Sequence, residues 1–366
     1  VNLPHFNRTN MDGYAVRAED TFGASPSLPT YLKLVGNIEM GEAPKQKIRK
    51  GEAVRIATGG MLPPGANSMV MVEYTEELGD GTVEISRRVA PWENILRTGE
   101  DIRKRDEIFP TTRRFRPQDI GALTGVGITK VPVFKHPKVA LISTGDEIVA
   151  PEKNPRPGQI RNVNQYSLKA MITECGGVTK DLGVIKDNPA AFRRAMIRAL
   201  RVSDIAVVSG GSSVGIKDMA LEVISSFPRS KVYFHGISIA PGKPTIFAQS
   251  LGKPVLGLPG HPVSALVVFA LFGGPLIRMM GGESSASAFL PARTTTAYLT
   301  TNIPSAPGRE DYVRVVLEEK NGVRSARPLP GKSGAIFSLV QADGMVCIPQ
   351  NQEGREAGET VEIILF

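Results

Sequence analysis

Ser209-Gly210-Gly211-Ser212-Ser213-Val214-Gly215 follows the apolar run Ile205–Val208, and two further stretches repeat the arrangement. Ser143-Thr144-Gly145-Asp146-Glu147 follows Val139–Ile142, and Gly257-Leu258-Pro259-Gly260-His261-Pro262-Val263-Ser264 follows Val255-Leu256. Apolar strands ending in small, glycine-rich loops set backbone N–H groups along the carboxyl edge of a parallel sheet, where open α/β folds bind anionic ligands. One such loop is weak evidence. Three on successive strands of one unit point to a ligand that carries phosphate.

The segment around these loops, Lys138 to Met280, alternates strands with helical stretches, the signature of βαβ units and a parallel sheet. Strands are expected at Val139–Ser143, Thr179–Ile185, Ile205–Val208, Val232–Ile239, Thr245–Phe247 and Val255-Leu256. Helices are expected over Gln165–Glu174, from Pro189 through Leu200, over Met219–Phe227 and over Val263–Leu271. Asp187-Asn188-Pro189 supplies a cap residue and a proline at the first helical position. Outside this unit, Tyr31 to Arg88 reads as short strands punctuated by turns, a small all-β unit. Pro117 to Val126 reads as a short helix, and Pro291 to Phe366 returns to strand alternation. The fold class is therefore α/β and multidomain.

At 366 residues the chain is too long for one ordinary core. A net charge of +8 favours anionic partners, yet the basic residues are dispersed with few aromatics among them, which argues against a nucleic-acid groove. The densest basic stretch, Arg97 to Arg116, holds 7 Lys or Arg and reads as a solvated surface near a domain junction. Cys175 and Cys347 form neither a disulfide framework nor a zinc motif, and the four histidines lack ligand spacing. These features fit a reducing cytoplasm. The apolar stretch Pro262 to Met280 is interrupted by Gly273-Gly274-Pro275 and carries Arg278, so it reads as a buried helix pair and not a membrane span. The chain opens at Val1, not methionine, so an upstream segment is expected.

In the Ser209–Gly215 loop, glycines let the backbone approach a ligand closely, and Ser212 and Ser213 can donate to phosphate oxygens. Asp218 follows at or near the start of the next helix, as an N-cap or as a metal ligand or acid/base group. Pro259-Gly260-His261-Pro262 turns a strand into a helix whose N-terminus favours an anion. His261 is either a ligand contact or a surface residue. Glu147 and Asp187 lie just after strands on the same edge, and carboxylates around a phosphate loop suit a bridging divalent cation. Asp187 can equally cap the helix at Pro189. Pro241-Gly242-Lys243-Pro244 fixes one lysine between two prolines, which lowers the entropy lost when its ammonium holds an oxyanion. Asn10–Tyr14 and Ala57–Gly60 read by themselves as turns.

These residues in this order resemble the MoeA family, the molybdopterin molybdenumtransferases, also found as the E domain of gephyrin. The resemblance is carried by Met11-Asp12-Gly13-Tyr14-Ala15-Val16, Arg55-Ile56-Ala57-Thr58-Gly59, Gly99-Glu100-Asp101, Pro241-Gly242-Lys243-Pro244 and the three loops with Asp218, and it spans the whole chain. It implies an L-shaped homodimer. Each subunit would have a first, dimerisation or linker domain of 1–23 and 99–137 lacking its N-terminal helices, and an inserted β domain at 24–98. A three-layer MogA-like molybdopterin-binding domain would follow at 138–284, then a C-terminal β-barrel at 285–366. The implied reaction takes adenylyl-molybdopterin and molybdate, with Mg2+ or another divalent cation, to molybdenum cofactor and AMP. The implied partner is an upstream molybdopterin adenylyltransferase. Carried over position by position, Glu147, Asp187 and Asp218 fall on acidic, metal-holding positions of the cleft. Ser209, Gly210, Gly211, Ser212, Ser213 and Gly215, with Pro259, Gly260, His261, Pro262 and Ser264, fall on the molybdopterin and nucleotide loops. Asp12, Thr58 and Asp101 match functional positions outside the sheet domain, where the partner chain completes the cleft. Lys243, Arg309 and Ser333 match positions lining the oxyanion site. The sequence departs from the family at Ala240, where a lysine is usual, at His261, where asparagine is common, and at Asn7, where aspartate is common. Two other readings use the same domain, a molybdopterin adenylyltransferase and a non-catalytic molybdopterin-binding scaffold.

Overall fold

The computed structural model describes residues 1–366 except 111, 211–213 and 292, and gives the backbone alone for 214–218. It divides into two compact units, Val1–Pro132 and Val133–Phe366.

In the first unit a six-stranded sheet runs in the order Ser68–Met71, Gly13–Val16, Glu52–Ile56, Thr30–Ile38, Thr82–Ile85, Thr75–Glu77. Both faces are covered, which follows from the side-chain alternation of strands. Tyr14, Val16, Leu32 and Val70 pack on one side, and Ala15, Ile38, Val54 and Met69 on the other. Gly13–Val16, expected outside the small β unit, is thus an interior strand of its sheet. Gly13 is required there, because a Cβ would lie 2.0 Å from the Val70 carbonyl oxygen. The expected helix near Pro117 is present as Pro117–Gly125. Part of the basic stretch before it is structural: Arg113 and Arg116 bind the buried Asp119 and hold its carboxyl far below the usual range.

In the second unit the α/β sheet runs Val178–Ile185, Lys138–Thr144, Ile205–Gly210, Lys253–Leu258, Ile246–Ser250, Lys231–His235. The first four strands are parallel. The last two join by antiparallel pairing, so the parallel sheet carries one reversed strand, Ile246–Ser250, next to its edge. The cause is local: Ser250 and Lys253 pair across Leu251-Gly252, whose φ values of 51° and 79° make a two-residue hairpin turn. Helices Pro189–Val202 and Val214–Ser225 cover one face, packing Phe192, Met196 and Ile224 on Ala140, Ile142 and Val208. Helix Val163–Glu174 and the run 262–280 cover the other, packing Leu168, Ile172, Phe269 and Ile277 on Val139, Leu141 and Leu256. Three layers result.

The apolar run is one continuous helical segment, not a pair. A π-turn at Phe269–Gly273, closed by the Gly274 N–H on the Phe269 carbonyl, absorbs the proline at 275. Among the described residues it is the single helix long and apolar enough to cross a membrane, and its apolar side is packed into this core.

The C-terminal strands close a five-stranded barrel: Glu310–Lys320, Val323–Pro328, Thr294–Leu299, Thr360–Leu365, Gly344–Ile348 and back to Glu310–Lys320. Closure leaves no free edge among these five and buries Val315, Ala326, Val346 and Ile363. The expected strand Val232–Ile239 is two strands. Lys231–His235 ends at Gly236, where φ is 90°, and Ile239–Ala240 then adds in parallel to Glu310 and Asp311 of the barrel. This switch carries the Pro241–Pro244 turn to the start of the long barrel strand.

Candidate active site

The four parallel strands end together at Thr144, Ile185, Gly210 and Leu258, so the three glycine-rich loops leave one edge of the sheet. Glycine is needed at two of these ends, at Gly210 by close packing and at Gly145 by a backbone φ of 150°. A Cβ at Gly210, where φ is 126°, would lie 2.1 Å from the Thr144 carbonyl oxygen. One at Gly145 would lie 2.7 Å from the Glu147 carboxylate, which folds back over the turn.

Two of the predicted acidic residues are brought together here, with a third that the sequence reading did not single out. The Asp146 N–H donates to Asp187 Oδ2 and the Asp187 N–H to Asp146 Oδ1, each at 3.4 Å. Burial, then the charges of Asp146 and Glu147, push the Asp187 carboxyl up, outweighing the backbone hydrogen bond that lowers it. Its Oδ1 is sealed from solvent and has no hydrogen-bond partner among the described residues. Helix capping is not the task of Asp187, since the side chain of Asn188 accepts from Ala191 N at 3.0 Å. A hard cation with oxygen ligands suits this donor set. Among the described residues no three such groups converge on one point. Asp218 lies outside the described side chains, as do Gly211, Ser212, Ser213 and Gly215. The backbone of its helix runs Val214–Ser225.

Ser209 is 1% exposed, and its hydroxyl accepts from Asn164 Nδ2 at 2.8 Å. It braces its loop from within. The same Asn164 nitrogen donates to the Gly260 carbonyl at 2.9 Å. Beyond Pro259 and Gly260, helix Pro262–Val268 starts with His261 as its cap residue, although the imidazole does not cap it. The His261 Nδ1 lies 2.7 Å from Ser333 Oγ, and the Val263 N–H donates to the Ser333 carbonyl at 3.1 Å. His261 and Ser333, separated by 72 positions, are therefore one local arrangement. Ser264 is buried in the first turn.

Lys243 is exposed on a fixed turn. Its carbonyl accepts from Ile237 N and Thr245 N, both at 3.0 Å, and a Cβ at Gly242 would strike Val268 and Ile239. Arg309 is committed elsewhere: it forks onto Asp311 at 2.8 and 3.2 Å, and the buried Asp311 also accepts from Ser305. Its charge is compensated before any ligand arrives. Ala240 sits beside Asp311 in the strand added to the barrel.

In the first unit the Thr58 N–H and hydroxyl both donate to Asp12 Oδ1, at 2.6 and 2.8 Å. The backbone bond, then the hydroxyl, hold the Asp12 carboxyl below its usual range. Asp101 is exposed, with its N–H on the Leu3 carbonyl. No hydrogen bond joins it to the Asp12–Thr58 pair among the described residues.

Three family models account for most of the chain. The MoeA N-terminal region (domain I and II) matches residues 1–127, a "Probable molybdopterin binding domain" matches 140–279, and the MoeA C-terminal region (domain IV) matches 296–366. The chain belongs to the MoeA family. Curated members of this family of molybdenum cofactor biosynthesis enzymes include the molybdopterin molybdenumtransferases of Haemophilus influenzae and Bacillus subtilis. They are 33% and 31% identical over 100% of this chain, covering 89% and 85% of their own lengths. A solved molybdopterin biosynthesis MoeA protein from Pyrococcus horikoshii superposes with a TM-score of 0.85 at 31% identity, covering 100% of this chain and 89% of that one. The MoeA fold thus stands as the resemblance implied, with the reversed strand, the strand switch and the earlier start of the Asp218 helix as local details.

Proposed function

We propose that this MoeA-family chain inserts molybdate into adenylyl-molybdopterin and releases AMP. The observation that carries the reading is the single sheet edge where Ser209 and Gly260 are tied through Asn164, beside the carboxylates of Asp146, Glu147 and Asp187. A phosphoanhydride laid along that edge meets backbone N–H groups at strand ends and the N-terminus of helix Pro262–Val268. Glu147 and Asp187, with Asp218, would hold a Mg2+ or similar ion, which supplies neutralising charge to the phosphates. Lys243, on its rigid turn, holds the molybdate oxyanion, and the Ser333–His261 pair lines the neighbouring helix start. No covalent nucleophile is needed. The protein positions two reactants while an oxygen of water or of molybdate attacks the AMP phosphorus as its P–O bond to the pterin phosphate breaks. The two thiols replace Mo–O bonds, their protons leaving with the displaced oxygen as water.

The proposal includes a cytoplasmic homodimer in which Asp12, Thr58 and Asp101 complete the cleft of the partner chain. It also includes receipt of substrate from an upstream adenylyltransferase and the domain division set out above. The test is AMP release from adenylyl-molybdopterin with and without molybdate and divalent cation. Strict dependence on both supports the reading. AMP release without molybdate favours a nucleotide-handling enzyme, and binding without turnover favours a scaffold.

A further inference from the structure

Asn162 and Asn164 open the helix Val163–Glu174, and both are buried. Asn162 Oδ1 lies 3.4 Å from the Ser143 hydroxyl that donates to it, and it caps the helix through Gln165 N at 3.2 Å. Asn164 Nδ2 donates to Ser209 Oγ and to the Gly260 carbonyl. A carbonyl can only accept, so the orientation of the Asn164 amide is fixed by Gly260, and both of its protons are used. A three-residue segment thereby binds the carboxyl ends of three neighbouring strands, at Ser143, Ser209 and just beyond Leu258. Among the described residues Asn164 Oδ1 is buried with no partner, a feature that folded proteins seldom keep without cause.

We propose that Asn164 is a positioning residue for the reaction: it fixes the spacing between the Ser209 loop and the Gly260 turn, and that spacing sets nucleotide affinity. The proposal rests on the reading of this edge as a nucleotide site. In this proposal Asn164 works from behind the loops and not by contact with the nucleotide. It acts through Ser209 and Gly260, which are 51 positions apart in the chain and have no other side-chain link among the described residues. Ser209, buried, works from the other end of the same bond.

The test measures AMP dissociation constants by calorimetry, alongside melting temperatures, for the full chain and for Asn164→Ala, Ser209→Ala and the double variant. Breaking the Ser209–Asn164–Gly260 link should weaken AMP about tenfold in each single variant. Because both break the same link, the double variant should also lose about tenfold, not the roughly hundredfold of independent sites. Asn164→Ser, which keeps one donor on a shorter arm, should fall between. A purely structural role would lower the melting temperature and leave AMP affinity of the folded protein unchanged, and that result overturns the proposal. Multiplying losses in the double variant overturn it as well. Should Asn164→Ala not fold, Ser209→Ala breaks the link from the other side and decides alone. Absence of AMP binding by the unaltered chain overturns the nucleotide-site reading and the positioning role with it. Unaltered binding with no change in the variants overturns the positioning role alone.

Discussion

Asp187 sits where burial and two neighbouring carboxylates disfavour its charge, so its ionisation in the folded state is held back. A raised acid loses folding stability as pH climbs from the ordinary value of 3.8 through the folded value. Asp187→Asn should therefore raise the melting temperature at pH 7, with the gain fading to nothing below pH 3.8, where both states carry the proton. A melting series from pH 3 to 8 reads this directly, and a gain that does not vary with pH would deny the electrostatic cause. Added Mg2+ should stabilise the parent chain more than the variant. Lys243 gives a second residue-scale test. Arg309 is already paired with Asp311, and the family resemblance implies a lysine where Ala240 stands, so the proposed oxyanion site leans on Lys243. A charge-assisted bond of roughly 1.5–3 kcal/mol predicts that Lys243→Ala raises half-saturating molybdate about ten- to a hundredfold. Arg309→Ala should raise it far less, and Ala240→Lys should lower it. An unchanged molybdate requirement in Lys243→Ala would place the anion elsewhere. The asparagines at 162 and 164 could not be read from the chain. Their importance lies in the meeting of Ser143, Ser209 and Gly260, which only the assembled sheet brings about. The one signal available was an Asn-x-Asn at a helix start.

At the scale of elements, the loops were legible because a run of β-branched residues followed by glycine specifies both a strand and its end. What escaped was direction and continuation. Thr245–Phe247 was readable as a strand, but its antiparallel sense depends on the φ values of Leu251 and Gly252, which spacing alone does not supply. Gly273-Gly274-Pro275 looked like a break, and a π-turn carries the helix through it. The helix holding Asp218 begins at Val214, earlier than the apolar pattern suggested, because glycine and serine near its start dilute that pattern. This position yields a prediction. A cap lost from a helix start costs about 0.5–2 kcal/mol, the loss expected if Asp218 only capped its helix. As a proposed metal ligand it predicts otherwise: Asp218→Ala should leave the melting temperature nearly unchanged while stopping AMP release. A destabilised variant that turns over normally once folded would remove Asp218 from the chemistry.

For the whole molecule, the resemblance implied an α/β multidomain fold with a MogA-like sheet domain and a C-terminal barrel, and the structure has both. The resemblance also placed Asp12 and Thr58 among the functional positions, and the structure joins them through two hydrogen bonds on one carboxylate oxygen. If they serve the partner chain, mixing inactive Thr58→Ala and inactive Asp218→Ala proteins should restore about a quarter of full activity. Half of randomly exchanged dimers would carry one intact site of two. No recovery, with exchange confirmed by mass spectrometry, would mean that each cleft draws both residues from one chain. The central claim is molybdenum insertion at the edge of the α/β sheet, and AMP release from adenylyl-molybdopterin, followed as molybdate is withheld and then added, tests it most directly. The account predicts negligible AMP in the absence of molybdate and saturable release on its addition, lost in Asp218→Ala; release indifferent to molybdate would contradict it.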